Sequence, residues 1–500
     1  MPAVFSPQFN NDFFKGQVTI NTGLFINGQW VGGSSGTFVD VVNPSTGKLL
    51  TKVSEGTTKD VDLAVAAAQK AFDTVWGSHC PGSQRGKLLN KLANIMESRL
   101  DELCAVEALN NGKTFQSAKY ADVSFSISII RYYAGWSDKI HGQTIETDRN
   151  KLAYTLHEPF GVVGQIIPWN FPLLMLSMKI GPALATGNTI IMKPSELTPL
   201  TALMVADMTR EAGFPPGVFN LIVGYGNTVG QAITEHRGIE KVAFTGSTLV
   251  GRKIMEAAAK SNLKNVTLEL GGKSPNIIFN DADLGQAVNW TAHGLFVNSG
   301  QICCAGTRIF VQSGIYDKFL AKFTERIKTI KVGDPFAKDT NQGPQVSQIQ
   351  FDRIMSYIES GKQQGAKVHI GGGRIGNEGY FIEPTVFTET KSSMKIVQEE
   401  IFGPVGVLIK FEDEEDVVRQ ANDTLYGLAA AVFTQDINRA LETAHKLKAG
   451  TTWINCVVTL NPNVPFGGFK QSGIGRELGE YALHNYTNVK AVHVNLGHKM

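Results

Sequence analysis

From residue 58 the chain places apolar residues at helical spacing. "TKDVDLAVAAAQKAF" reads as an amphipathic helix, and helical text continues through "GKLLNKLANIMESRLDELCAVEALNNGK", where Gly112 supplies a C-terminal stop. At residue 160 the pattern changes. "GVVGQIIP", "NTIIMKP", "VFNLIVG", "KVAFTGS" and "NVTLELGG" are short apolar runs rich in β-branched residues, with no alternation of period two. Helical segments separate them: "LLMLSMKIGPALATG", "TPLTALMVADMTREAG", "NTVGQAITEH" and "TLVGRKIMEAAAK". In the second of these, Thr198 is the expected N-cap and Pro199 the first helical residue. Strands buried on both faces and alternating with helices predict an α/β fold with a doubly wound parallel sheet. Residues 160–270 read as a nucleotide-binding unit, and a second α/β unit follows to about residue 475. The terminal "TNVKAVHVNL" alternates as an exposed or edge strand does.

At 500 residues the chain is too long for one simple core. Its 42% apolar and 18% charged content suits a soluble globular protein, and a net charge of +2 with no basic block argues against a nucleic-acid partner. The longest uncharged run, residues 160–178, contains Pro168, Asn170 and Pro172, so it predicts strand, loop and helix rather than a membrane span. The N-terminal stretch has neither a basic start nor an apolar run, and the first arginine is Arg85. A cytoplasmic protein is expected. Five scattered cysteines fit a reducing compartment, and no C-x-x-C pair or histidine cluster suggests a metal.

Two glycine loops join strands to helices. "GYGNTVG", with Gly226 and Gly230, is one residue too long for the dinucleotide fingerprint. "GSTLVG", from Gly246 and Ser247 to Gly251, lacks the Lys-Ser/Thr that a magnesium-dependent phosphate loop requires. Either loop can be a plain strand–helix turn, or can present free N–H groups to a pyrophosphate. Lys193 and Glu196 follow the second strand, where a dinucleotide fold sets polar side chains against the adenosine ribose. A carboxylate there repels a 2′-phosphate, so Glu196 favours NAD over NADP.

"SGQICCAGTR" sets Cys303 beside Cys304. Residue type alone leaves three readings open: buried apolar residues, a strained vicinal disulfide, or a nucleophile with an assisting base.

"NSGQICCAGTR" and "VTLELGGKSPNI", with "IIPWNFPLLM", "IMKPSELTPL", "FTGSTLVG", "EEIFGPV" and "PFGGFKQSGIGRELGE", closely resemble the aldehyde dehydrogenase superfamily in order and spacing, nearest its NAD-preferring, hydrolytic class. The resemblance runs from "FINGQW" to "TNVKAV". It implies Cys303 as the nucleophile, with Cys304 a packing residue. It implies Asn170 and the Cys303 N–H as oxyanion donors and Glu269 as general base. The implied cofactor is NAD, held by Ile167, Trp169, Lys193, Glu196, Gly226, Gly230, Phe244, Gly246, Ser247, Gly251 and Leu270, with Glu400 and Phe402 at the nicotinamide ribose and ring. Glu477 resembles a second carboxylate at the site, in proton relay. Phe171 and Phe466 match ring positions of the substrate tunnel. Met178 and Leu460 stand where acetaldehyde-type members carry aromatics, so the expected substrates are small to medium aliphatic aldehydes.

The implied organisation is an NAD-binding domain (1–139 and 160–270), a catalytic domain (271–475) and a small β oligomerisation arm (140–159 and 476–500), assembled as a homotetramer, a dimer of dimers. A CoA-acylating semialdehyde dehydrogenase is the alternative enzyme, but such relatives usually lack the base that Glu269 supplies. A catalytically idle oligomeric binding protein on the same fold is the other alternative. Retention of Cys303, Glu269 and Asn170 together argues against it.

Overall fold

The apolar runs after residue 160 become the parallel strands β1 (Val162–Ile166), β2 (Thr189–Lys193), β3 (Phe219–Leu221), β4 (Lys241–Thr245) and β5 (Asn265–Glu269) in the computed structural model, which describes residues 3–500. Every residue of β1, β2 and β4 is buried, as two covered faces require. The sheet order is β5-β4-β1-β2-β3, extended beyond β3 by Leu24–Ile26 and Gln29–Val31 and beyond β5 by Gly473–Ile474. The main connecting helices are α1 (Pro172–Thr186), α2 (Leu200–Ala212) and α3 (Thr248–Ser261). Chain order runs outward from β1 in both directions, which opens a crevice beyond the carboxyl ends of β1 and β4.

The helix Leu100–Asn111 stops at Gly112, whose φ of 89° is left-handed. Thr198 does not cap α2. Pro199 is already helical at φ −84° and ψ −15°, and the Thr198 hydroxyl donates instead to the Trp169 carbonyl. The first-turn needs of α2 are met from the Leu100–Asn111 helix: Leu200 N–H donates to Asn110 Oδ1 at 3.2 Å, and the Thr201 hydroxyl donates to Glu107 at 2.7 Å.

The second sheet contains β6 (Pro275–Ile278), β7 (Arg308–Gln312), β8 (Lys367–Ile370), β9 (Thr385–Thr388), β10 (Val405–Phe411), β11 (Ala429–Phe433) and β12 (Thr451–Ile454). Its order is β8-β9-β10-β7-β6-β11-β12, parallel except for β8. Helix α4 (Leu284–Phe296) and a loop connect β6 to β7, and that loop carries Cys303.

The small sheet pairs Lys151–Pro159 antiparallel with Thr487–Asn495, from Lys151↔Asn495 to Pro159↔Thr487, with Thr144–Ile145 at its edge. Leu152, Leu156 and Val489 are exposed on it. Residues 476–486, grouped with this arm by the sequence reading, pack elsewhere. Glu477 pairs with Lys179 of α1, and the Tyr486 carbonyl accepts from Asn188. No helix among the described residues is long and apolar enough to cross a membrane.

Candidate active site

After α4 the chain makes a run of left-handed residues: Asn298 (φ 52°), Ser299 (φ 58°) and Gly300 (φ 71°). A non-glycine residue in that region costs about 1–3 kcal/mol, so the surroundings must hold it. Asn298 Nδ2 donates to the Asn170 carbonyl at 3.0 Å, the Ser299 hydroxyl to the Gly343 carbonyl at 3.0 Å, and Val346 N–H to Gln301 Oε1 at 3.0 Å. The loop so held presents Cys303 half-buried and Cys304 fully buried. Hydrogen bonding with Cys304 raises the Cys303 thiol well above its ordinary range, and burial and the nearby Glu269 push the same way. The resting sulfur is therefore a thiol that needs a base.

Glu269 ends β5 and is 3% exposed. Among the described residues neither of its carboxylate oxygens makes a well-formed hydrogen bond, and the Cys303 thiol lies beside it as a weak donor. Burial pushes its pKa up to about 8, Glu477 adds to this, and Lys179 and Cys303 oppose it. The next residues that matter are glycines for steric reasons. A Cβ on Gly271 would stand 2.4 Å from Glu400 Oε2, and one on Gly272 would stand 2.3 Å from the Cys303 carbonyl. The strand end bearing Glu269 thus meets both the cysteine loop and Glu400.

Asn170 is buried between β1 and α1. Its Nδ2 donates to the Gln301 carbonyl at 3.0 Å, which ties the amide to the cysteine loop, and its Oδ1 has no partner. Phe171, Met178, Leu460 and Phe466 line an apolar cavity of about 330 Å³ with Cys303 and Cys304. Tyr120, Phe125, Val297 and His293 line it too, and sequence reasoning missed them as wall residues. Burial holds His293 below its ordinary pKa. The π-turn Ala118–Val123 that carries Tyr120 leaves no signature in hydrophobic spacing.

On the other side, Ile166, Gly226, Gly230, Phe244, Val250 and Ile254 line a groove of about 530 Å³. Ser247 caps α3, with Val250 N–H donating to its Oγ at 3.3 Å, and its hydroxyl proton is left to donate. Leu270 packs on Gly251, where a Cβ would meet it at 2.8 Å, and a Cβ on Gly246 would meet the Phe244 ring at 2.4 Å. The Ile167 N–H donates to the Lys193 carbonyl at 3.1 Å, and Lys193 Nζ donates to Glu196 Oε2 at 3.2 Å. Nearer the cysteine, Trp169 and Phe402 meet edge to face at 5.3 Å. Phe402 is itself left-handed at φ 60°. Glu400 accepts the Gly272 N–H at 3.0 Å, and burial pushes its carboxyl up to about 7. Glu477 does not touch Glu269. It accepts from Lys179 and acts on Glu269 through space.

A nucleotide-type sheet whose crevice opens toward a cysteine loop and an apolar cavity defines an α/β enzyme of the dehydrogenase kind. The aldehyde dehydrogenase family profile matches residues 30–492. An aldehyde dehydrogenase of Agaricus bisporus is 69% identical over 500 residues, covering 100% of both chains. Rat aldehyde dehydrogenase 1A1 is 52% identical over 96% of both. Among solved structures, the NAD+ complex of a Bacillus cereus aldehyde dehydrogenase matches with a TM-score of 0.94 at 50% identity, covering 95% of this chain and 97% of that one. The chain belongs to the aldehyde dehydrogenase family.

Proposed function

We propose that the protein oxidises small to medium, uncharged aliphatic aldehydes to carboxylic acids with NAD, through covalent chemistry on Cys303. The observation that carries this reading is Glu269: a buried carboxylate with no structural partner among the described residues, set beside the half-buried Cys303 thiol in the wall of an apolar cavity. Structural carboxylates are paired when buried, and an unpaired one suits base work.

Glu269 takes the Cys303 proton as the sulfur bonds to the aldehyde carbon. The resulting thiohemiacetal carries a negative oxygen, which Asn170 Nδ2 and the Cys303 N–H stabilise. When bound, NAD supplies the acceptor for the hydride that leaves this carbon. Cys303 is then a thioester. Glu269 first releases to solvent the proton it took from Cys303. It then removes a proton from water as the water oxygen attacks the acyl carbon, the carbon–sulfur bond breaks, and Glu269 returns that proton to the departing sulfur, so that the acid and the free thiol result. The Lys179–Glu477 pair can pass the released proton towards solvent only through an intervening water, since Glu477 accepts from Lys179 and makes no hydrogen bond to Glu269.

The site fits NAD. The 530 Å³ groove is lined by Val250 and Ile254 of the Ser247-capped α3, Lys193 and Glu196 would meet the adenosine ribose, and Glu400 with Phe402 would hold the nicotinamide ribose and ring. Mostly apolar walls and the absence of a charged side chain lining the 330 Å³ cavity support uncharged substrates. The exposed apolar residues of the arm support a dimer of dimers joined through it, and cytoplasmic residence accords with free cysteines.

A panel of aldehydes varied in chain length and charge, assayed with NAD and NADP and with or without CoA, tests this. Acid formation without CoA, fastest with uncharged aliphatic aldehydes and NAD, is expected. A strict CoA requirement, or preference for charged aldehydes, contradicts it.

A further inference from the structure

Three buried ionisable residues lie under the oxyanion amide without touching the cavity. Lys113 is 2% exposed, Asp122 and Glu107 are 0% exposed, and they come from three segments. Glu107 lies in the helix Leu100–Asn111, Lys113 follows the left-handed Gly112 that ends it, and Asp122 sits on the π-turn Ala118–Val123. Lys113 Nζ bonds to Asp122 and lies 3.8 Å from Glu107. Burying such a cluster is expensive unless every member is satisfied, so its partners indicate its use.

Those partners converge on three consecutive residues. Lys113 Nζ donates to the Asn170 carbonyl at 3.0 Å and stands 4.1 Å from the centre of the Phe171 ring. Asn111 Nδ2 donates to the Trp169 carbonyl at 2.7 Å. The carboxylates take the first free N–H groups of α1, which starts directly after Phe171: Leu173 N–H donates to Glu107 Oε1 at 3.4 Å and Leu174 N–H to Asp122 Oδ1 at 2.7 Å. The cluster therefore grips both ends of the Trp169–Asn170–Phe171 turn. One side is the backbone carbonyls, and the other is the positive end of the following helix. Two carboxyl groups, Glu107 and Asp122, face the single amine of Lys113. Burial, then Asp122, raises Glu107 well above the carboxylate range, which brings the cluster toward neutrality.

We infer that Lys113, anchored by Asp122 and Glu107, is a positioning residue for the reaction: it fixes the peptide of Asn170 so that the side-chain amide stays aimed at the developing oxyanion. The inference rests on the oxyanion role given to Asn170 above. It separates Lys113 from an ordinary buried ion pair, because its second hydrogen bond goes to the backbone of the one residue whose side chain must be placed within a fraction of an ångström.

The test is a double-mutant cycle on the full-length protein. Lys113→Met keeps the stem and removes the donors. It should lower kcat about tenfold or more, while KM for NAD changes less than about threefold. In an Asn170→Ala background the same change should cost less than about threefold, since there is no longer an amide to aim. Asp122→Asn, which keeps an oxygen for Leu174 N–H and weakens the hold on Lys113, should show the same non-additivity to a smaller degree. It carries the test if Lys113→Met does not fold. An equal loss in both backgrounds, or no loss of kcat in folded single variants, overturns the inference. If Asn170→Ala alone leaves kcat unchanged, the oxyanion reading fails first, and the two failures are distinguishable.

Discussion

Gly272 and Cys303 are packed backbone on backbone: a Cβ on Gly272 would lie 2.3 Å from the Cys303 carbonyl oxygen. This contact joins the end of the first sheet, which carries Glu269, to the loop between α4 and β7, which carries Cys303. Gly272→Ala therefore should lower kcat by about tenfold or more by moving the sulfur relative to the carboxylate, with the aldehyde KM little changed. Steady-state kinetics of the folded variant measure it, and an unaltered kcat contradicts the contact's importance.

Glu269 is raised to about 8, so the deprotonated base accumulates as pH rises through that value. The rate of acid formation should climb up to about pH 8 and then level, and Glu269→Gln should lower kcat about 10²–10⁴-fold and abolish that limb. Stability runs the other way. The folded carboxyl binds its proton more tightly than the unfolded one at 4.5, so the folded state loses stability between pH 4.5 and about 8. Glu269→Gln should raise the melting temperature at pH 8 and leave it unchanged near pH 4. Equal melting temperatures at pH 8 contradict the assignment.

Asn170→Ala should cost about 10²–10³-fold in kcat, the usual loss of one oxyanion donor. NAD affinity, measured by fluorescence or calorimetry, should stay within about threefold. A matching fall in NAD affinity instead points to collapse of the Trp169–Asn170–Phe171 turn.

Met178 and Leu460 stand in the wall of the cavity with Cys303. Leu460→Phe should reduce kcat/KM for six-carbon and longer aldehydes by about tenfold while sparing propanal, since added ring volume excludes only the longer chain. A uniform loss across chain lengths contradicts a selectivity role.

Glu196 accepts from Lys193 Nζ at 3.2 Å and holds its carboxylate near the groove bordered by Gly230. Glu196→Gln should raise kcat/KM with NADP about tenfold or more relative to NAD, because a 2′-phosphate no longer meets a negative charge. An unchanged ratio contradicts its placement at the ribose.

The strands of the first sheet were legible because each is an uninterrupted apolar run bounded by turn residues, and the Gly112 stop because only a left-handed end explains a glycine there. Cys303, Glu269 and Asn170 were legible only through motif resemblance. Residue type alone leaves the cysteine pair open between buried apolar residues, a vicinal disulfide and a nucleophile, and offers nothing that singles out Glu269 or Asn170. What brings them together is long-range: Gln301 to Asn170, and Gly272 to Cys303. The Thr198 cap failed for a related reason. Spacing shows which residue can cap, but Asn110 and Glu107, some ninety residues away, were already there to serve α2. Tyr120 and His293 reach the cavity from elements whose own periodicity gives no hint of it, and the cluster under Asn170 is invisible in sequence because its members are ordinary charged residues until the fold buries them.

The account depends on which sulfur carries the acyl group. The native enzyme, mixed with propanal and NAD, quenched in acid within a single turnover and digested, should yield one propanoyl group on the peptide containing both cysteines, with fragmentation placing it on Cys303. The adduct should vanish in a Cys303→Ala background and persist with Cys304→Ala. An acyl group on Cys304, or oxidation of propanal at the native rate by Cys303→Ala, contradicts the account.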